Sequence, residues 1–160
     1  MEWSYRALHG SYAAVFIVSA VEYFWRRQDL SLPATVTGLG LFLIALVVRL
    51  TAIRTLGKFW SLHLEIRPEH ELVTHGIYRY LRHPAYLAIL LEVASVPLAV
   101  NAFYALALTL AVYVPLLGLR WRREEQEMIA KFGEQYLRYR EEVPAFLPWP
   151  RAAHRDRKTA

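Results

Sequence analysis

Residues 84–119, PAYLAILLEVASVPLAVNAFYALALTLAVYVPLLGL, carry one charged side chain, Glu92. A bilayer's hydrocarbon core, roughly 30 Å thick, takes about 20 helical residues, so this stretch is long enough for two crossings joined by a turn. Asn101, shortly after Pro97, is the natural turning point, and the reading is a tight helical hairpin. Pro97 and Pro115 are expected to bend its two arms.

Working outward, two more tracts have the same character. Between Ala34 and Ile53 the only charge is Arg49, and the run TVTGLGLFLIALVV is apolar on every face, which in a short chain means lipid contact. Pro33 suits the first turn of that helix. Between Ala7 and Trp25 the only charge is Glu22, and the tract ends in YFWRR, an aromatic belt followed by positive charge, as at a membrane interface. A cleaved leader fits less well, because Glu2 accompanies Arg6 at its start and bulky aromatics stand where small residues belong. The expectation is an all-α polytopic transmembrane helical bundle of about four spans. It forms one domain over residues 1–150, followed by a basic, disordered tail over 151–160.

Composition agrees. The chain has 160 residues, 56% of them hydrophobic, and a formal net charge of +5. With no cysteine it has no disulfide scaffold, no thiolate zinc site and no cysteine nucleophile. About half of the Lys and Arg residues lie after Leu119, beyond the oily tracts, which is membrane topology rather than a nucleic-acid surface. Arg54, Lys58, Arg67, Arg79 and Arg82 precede the hairpin and Arg120, Arg122 and Arg123 follow it, so both polar segments are expected on the cytoplasmic side. That placement leaves Arg26 and Arg27 outside, two charges against many.

The polar segment before the hairpin holds four of the six histidines. Its densest motif is Gly76-x-Tyr78-x-x-x-Arg82-His83-Pro84-x-Tyr86. Pro84 can open a helix whose free backbone N–H groups favour an anion, with His83 beside it and Tyr78 and Tyr86 offering aromatic faces. An interfacial Tyr/His/Arg belt around a helix start would look the same. Arg120 and Glu124 stand one helical turn apart. They read either as a surface pair worth a few tenths of a kcal/mol or as a guanidinium gripping a ligand carboxylate beside a balancing acid. Arg49 and Glu22 read as anchors near helix ends, whereas Glu92, two turns into its helix, lines a polar cavity or bonds to a neighbouring helix. Beyond the hairpin, Met128, Ile129, Phe132, Tyr136 and Leu137 recur at helical spacing beside charged positions, giving an interfacial C-terminal helix interrupted at Gly133. The dinucleotide, P-loop, zincin and nucleophile-elbow motifs are absent, and the histidine spacings offer no familiar metal set; no metal and no nucleic-acid partner are expected.

HELVTHGIYRYLRHPAY (70–86) followed by REEQEMIAKFGEQYLRYREEVPAFLP (123–148) resembles the isoprenylcysteine carboxyl methyltransferase and phospholipid methyltransferase family of integral membrane enzymes. The likeness runs from about His63 to Pro148. It implies a cytoplasm-facing pocket for S-adenosylmethionine, formed at His70, Glu71, Leu72, Val73, Tyr78, His83, Pro84, Ala85 and Tyr86 and closed by Glu124. His63 matches a further cofactor position, which is a glutamine in the carboxyl methyltransferases. Arg120 falls on the substrate-binding arginine and is the catalytic candidate. The resemblance implies a multi-pass integral membrane methyltransferase acting on a lipidic or prenylated acceptor drawn from membrane lipids, most simply by carboxyl O-methylation of an isoprenylcysteine-like substrate. Phospholipid N-methylation shares the signature. A sterol-type reductase using NADPH and a non-catalytic membrane binding protein are the remaining alternatives.

Overall fold

The computed structural model describes residues 2–26, 29–57 and 71–146 of the chain. Its helices are α1 (Glu2–Arg26), α2 (Leu32–Leu56), α3 (Pro84–Ala99), α4 (Phe103–Phe132) and α5 (Glu134–Glu142), with a 3₁₀ turn over Gly76–Arg79. No strand occurs among the described residues. α2 and α4 are long and apolar enough to cross a membrane, and α3 is a shorter apolar helix.

Local chemistry sets the boundaries. Pro33 lies in the first turn of α2 and Pro84 in the first turn of α3, positions where the missing N–H costs nothing. The α3–α4 turn is closed by Asn101 at φ 60°, a left-handed conformation that asparagine tolerates better than most residues. α4 runs on past the apolar stretch as one continuous helix to Phe132, where Gly133 at φ 51° stops it and α5 starts afresh. Pro97 and Pro115 lie inside α3 and α4.

α2 packs most extensively on α3. Its buried residues are Gly38, Ala45 and Ala52, spaced by seven and therefore on one face, while Leu39, Leu43, Ile44 and Val47 point outward and exposed. In lipid there is no hydrophobic gain in bringing helices together, so small residues that let backbones approach carry such an interface. Gly38 shows how tight it is: a Cβ built there would lie 2.5 Å from the Ala99 nitrogen and 2.8 Å from the Ser95 carbonyl oxygen. Beside it, the Thr35 hydroxyl donates to the Ala99 carbonyl at 2.8 Å.

The central core joins α1, α3 and α4 through Val15, Tyr86, Val93, Tyr113 and Leu117. Polar contacts cross it. Arg49 of α2 is ion-paired with Glu92 of α3, and Tyr12 of α1 donates to the same carboxylate at 3.1 Å. Glu92 thus takes the second of its two expected roles, a bond to neighbouring helices. Arg49 and Glu22 differ from the sequence reading as snorkelling anchors. Arg49 turns inward to its partner, and Glu22 is buried, accepting from the backbone N–H groups of Tyr104 (3.2 Å) and Ala105 (2.6 Å). The physical reason is the same for both: each meets a partner of opposite polarity on a neighbouring helix, which offsets the cost of turning inward.

Candidate active site

The segment leading into α3 and the polar end of α4 meet above the core. Arg82 and His83 are tied by their backbone N–H groups to the carbonyls of Pro144 (2.9 Å) and Ala145 (3.0 Å), so the chain after α5 returns as a brace along the α3 entrance. Pro84 is buried and Ala85 half-buried at the first turn. Tyr86 follows, buried, with its hydroxyl directed across to α4.

That hydroxyl is the joint of the site. Tyr86 donates to Glu124 Oε2 at 2.5 Å and accepts from Arg120 Nε at 3.2 Å, so a tyrosine from α3 bridges the one-turn pair of α4. Glu124 remains about one-third exposed, a carboxylate at the site that is open to a ligand. His83 Nδ1 lies 3.9 Å from Glu124 Oε1, beyond hydrogen-bond reach. The imidazole is buried among Tyr86, Trp121 and Phe146, with ring centroids 5.7, 6.1 and 6.0 Å away, and Trp121 meets Phe146 edge-on at 5.0 Å.

The other ring nitrogen, Nε2, is 3.2 Å from Glu125 Oε1, which also pairs with Arg82 at 2.8 Å and accepts from the Tyr136 hydroxyl at 3.4 Å. Glu125 lies beyond the apolar stretch of α4. Burial pushes its carboxyl up, but the hydrogen bond from His83, the nearby Trp121 indole and the Arg82 charge outweigh that and hold it down at about 2. Tyr78 is buried nearby. Its hydroxyl is pushed well above the usual phenol range by burial and then by the Glu124 charge, while its carbonyl accepts from Tyr139 at 2.6 Å.

The structure therefore gathers Tyr78, His83, Pro84, Ala85, Tyr86, Arg120 and Glu124. Leu72 instead packs on Tyr136, Tyr139 and Val143, at the edge of an open cleft of about 690 Å³ that also takes in Arg79, Arg138 and Glu142; Glu71 is exposed and Val73 half-buried. His63 and His70 lie outside the described residues. Sequence reasoning missed Glu125, Trp121 and Phe146, and it gave Arg82 of the motif no site role. The adjacent acids Glu124 and Glu125 were visible as a pair, yet only the fold shows that they flank one histidine from two sides.

Similarity to known proteins points the same way. The sequence profile of the isoprenylcysteine carboxyl methyltransferase family matches residues 38–130. Over 148 residues, covering 86% of this chain and 74% of the relative, the chain is 31% identical to protein-S-isoprenylcysteine O-methyltransferase B of Arabidopsis thaliana. Over the same length and shares it is 32% identical to protein-S-isoprenylcysteine O-methyltransferase A of that organism. The fold is similar to that of a solved eukaryotic intramembrane Ras methyltransferase, an isoprenylcysteine carboxyl methyltransferase, with a TM-score of 0.77 and 26% identity, covering 88% of this chain and 53% of that one. The chain spans about half the length of that solved protein.

Proposed function

The chain belongs to the isoprenylcysteine carboxyl methyltransferase family, and from that premise we propose that it is an S-adenosylmethionine-dependent membrane enzyme that methylates the carboxylate of an isoprenylcysteine-like acceptor. The observation that carries the proposal is the Tyr86 bridge. It ties Tyr86 of α3 to both Glu124 and Arg120 of α4 across the helical hairpin and so draws the two blocks of sequence resemblance together.

The residues present fit the donor. When bound, S-adenosylmethionine supplies a methyl group activated by a sulfonium cation and leaves as S-adenosylhomocysteine. Glu124, part-exposed, gives a negative charge to balance a cation, and His83 Nδ1 faces the same space. The first turn of α3 offers free backbone N–H groups to a carboxylate. Tyr86, Trp121 and Phe146 supply apolar ring surface around His83. Tyr78, Pro84 and Ala85, with Glu71, Leu72, Val73 and the segment holding His63 and His70, complete the proposed cofactor contacts.

Arg120 is assigned the acceptor. Its Nε donates to the Tyr86 hydroxyl, which holds the guanidinium against α3 beside Glu124, and a planar guanidinium is the side chain best suited to grip a carboxylate. An α-carboxylate is already ionised near neutral pH, so the site needs no general base and can act by alignment, with reacting atoms brought within about 3–3.5 Å. The proposed topology has about four spans, with the donor entering from the cytoplasm and the acceptor arriving through the bilayer.

Purified protein given methyl-labelled S-adenosylmethionine, a prenylated cysteine and total membrane lipid tests the reading. The expected product carries label released by base, as a methyl ester does, and Arg120→Ala abolishes it while leaving donor binding within about twofold. Base-stable label on a phospholipid amine would replace the carboxyl reading with N-methylation. No label on either acceptor would remove the enzyme reading.

A further inference from the structure

Glu125 is given no part in the function proposed above, yet it is the most heavily engaged acceptor near the site. One of its oxygens gathers Arg82 from the α3 entrance (2.8 Å), His83 Nε2 from the same segment (3.2 Å) and the Tyr136 hydroxyl from α5 (3.4 Å). Its side chain is 12% exposed and that of His83 is 4% exposed, so water does not compete for these contacts.

A carboxylate oxygen can only accept, so the nitrogen facing it must carry the proton. In a neutral imidazole the other nitrogen then has a lone pair. Here that other nitrogen is Nδ1, which looks toward Glu124 Oε1 across a 3.9 Å gap. Two acceptors facing each other at this distance have nothing to share unless a donor group reaches both from one side. Arg82 adds a second constraint. It holds Glu125 from the far side and also donates to the Arg140 carbonyl at 2.6 Å, which ties the carboxylate to the C-terminal helix rather than leaving it free to rotate.

The geometry points to Glu125 as a positioning residue that fixes His83 as the Nε2–H tautomer, so that Nδ1 and Glu124 together accept from an ammonium group of the bound ligand, which has a proton for each. Glu125 itself touches no ligand. It acts through the ring, as the orienting acid behind many functional histidines does. The inference rests on the proposed methyl-donor site for the identity of the ligand, and on the hydrogen-bond pattern alone for the tautomer.

The test is nitrogen NMR on the full-length chain in detergent micelles with labelled histidine, the His83 signals identified by their loss in His83→Gln. At a pH where the ring is neutral, the wild-type protein is expected to show Nε2 protonated and Nδ1 unprotonated. Glu125→Leu removes the acceptor and is expected to give a mixed or reversed tautomer and to weaken S-adenosylhomocysteine about tenfold, the loss of one charge-assisted hydrogen bond. Glu125→Gln keeps an acceptor oxygen and is expected to restore the tautomer and much of the affinity. Tyr136→Phe, which loosens Glu125 without facing His83, is expected to leave the tautomer unchanged. A wild-type ring protonated on Nδ1 overturns the proposal, whatever the Glu125 variants do. So does Glu125→Leu with unaltered tautomer and affinity. If the wild-type chain binds no S-adenosylhomocysteine, the methyl-donor reading fails, while the tautomer still decides the role of Glu125.

Discussion

Replacing Glu92 with leucine strips Arg49 of its anionic partner inside the helical bundle and leaves it the Tyr12 hydroxyl at 3.1 Å, and the cost can be worked from the surroundings. The pair joins α2 to α3, with side-chain exposures of 32% for Arg49 and 13% for Glu92, and Tyr12 adds a contact from α1. Removing one member of a buried pair costs about 3–5 kcal/mol, and an unpaired arginine at the centre of a bilayer helix costs about 2.5–3.5 kcal/mol on the insertion scale. Both figures must be reduced. Arg49 keeps a third of its exposure and lies two turns before the end of α2, roughly 10 Å, so its guanidinium can snorkel toward the interface. A loss of about 1–3 kcal/mol is therefore expected for Glu92→Leu. The double variant Arg49→Leu/Glu92→Leu removes both charges but also both of these partners of the Tyr12 hydroxyl, so it should lie within about 1–2 kcal/mol of the wild type. Equilibrium unfolding in mixed SDS and detergent micelles, run as a double-mutant cycle, reads the difference as a coupling of about 1–2 kcal/mol. Additive losses, with a coupling below about 0.3 kcal/mol, would mean that the two charges do not support each other in the bundle.

Three further outcomes can be checked with the same unfolding assay. Gly38→Val forces side-chain atoms into the backbone of Ala99 and Ser95, where even a Cβ would lie at 2.5–2.8 Å, and is expected to destabilise by about 1–3 kcal/mol as α2 and α3 are pushed apart. Glu22→Ala uncaps two backbone N–H groups at the start of α4 and should cost about 1–2 kcal/mol; retention of full stability would mean that the contact contributes nothing. Acid should also act through Glu125. Its carboxyl falls from 4.5 to about 2 on folding, so its stabilisation is complete above 4.5 and is lost as the pH drops toward 2. Glu125→Gln should flatten the stability profile in that window, and an unchanged slope would contradict the assignment.

Much of the fold was legible because local chemistry marks it. Pro33 and Pro84 announce helix starts, Asn101 the turn of the hairpin and Gly133 the break before α5, and each lies at the boundary that the structure shows. The face of α2 was less so. A run apolar on all sides hides its own packing stripe, and only the burial of Gly38, Ala45 and Ala52 reveals which side meets α3. The polar contacts of the bundle were illegible for a different reason. Arg49 and Glu92, or Glu22 and Ala105, are far apart in sequence, and nothing local distinguishes a charge that snorkels from one that pairs. At the candidate site, the motif through His83-Pro84-x-Tyr86 and the Arg120/Glu124 pair were each visible alone. That Tyr86 stands between the two latter residues, and that Glu125 reaches His83 from behind, required the folding of the hairpin.

Whether the α3 entrance and the polar end of α4 form one ligand site is most directly decided by calorimetric titration of S-adenosylhomocysteine into the wild-type chain, Tyr86→Phe, Glu124→Gln and the double variant. Because the two side chains are hydrogen-bonded to each other and face one ligand, each single change should weaken binding about tenfold and the double change clearly less than a hundredfold. Absence of binding to the wild type, or affinity losses that simply multiply, would contradict a shared site.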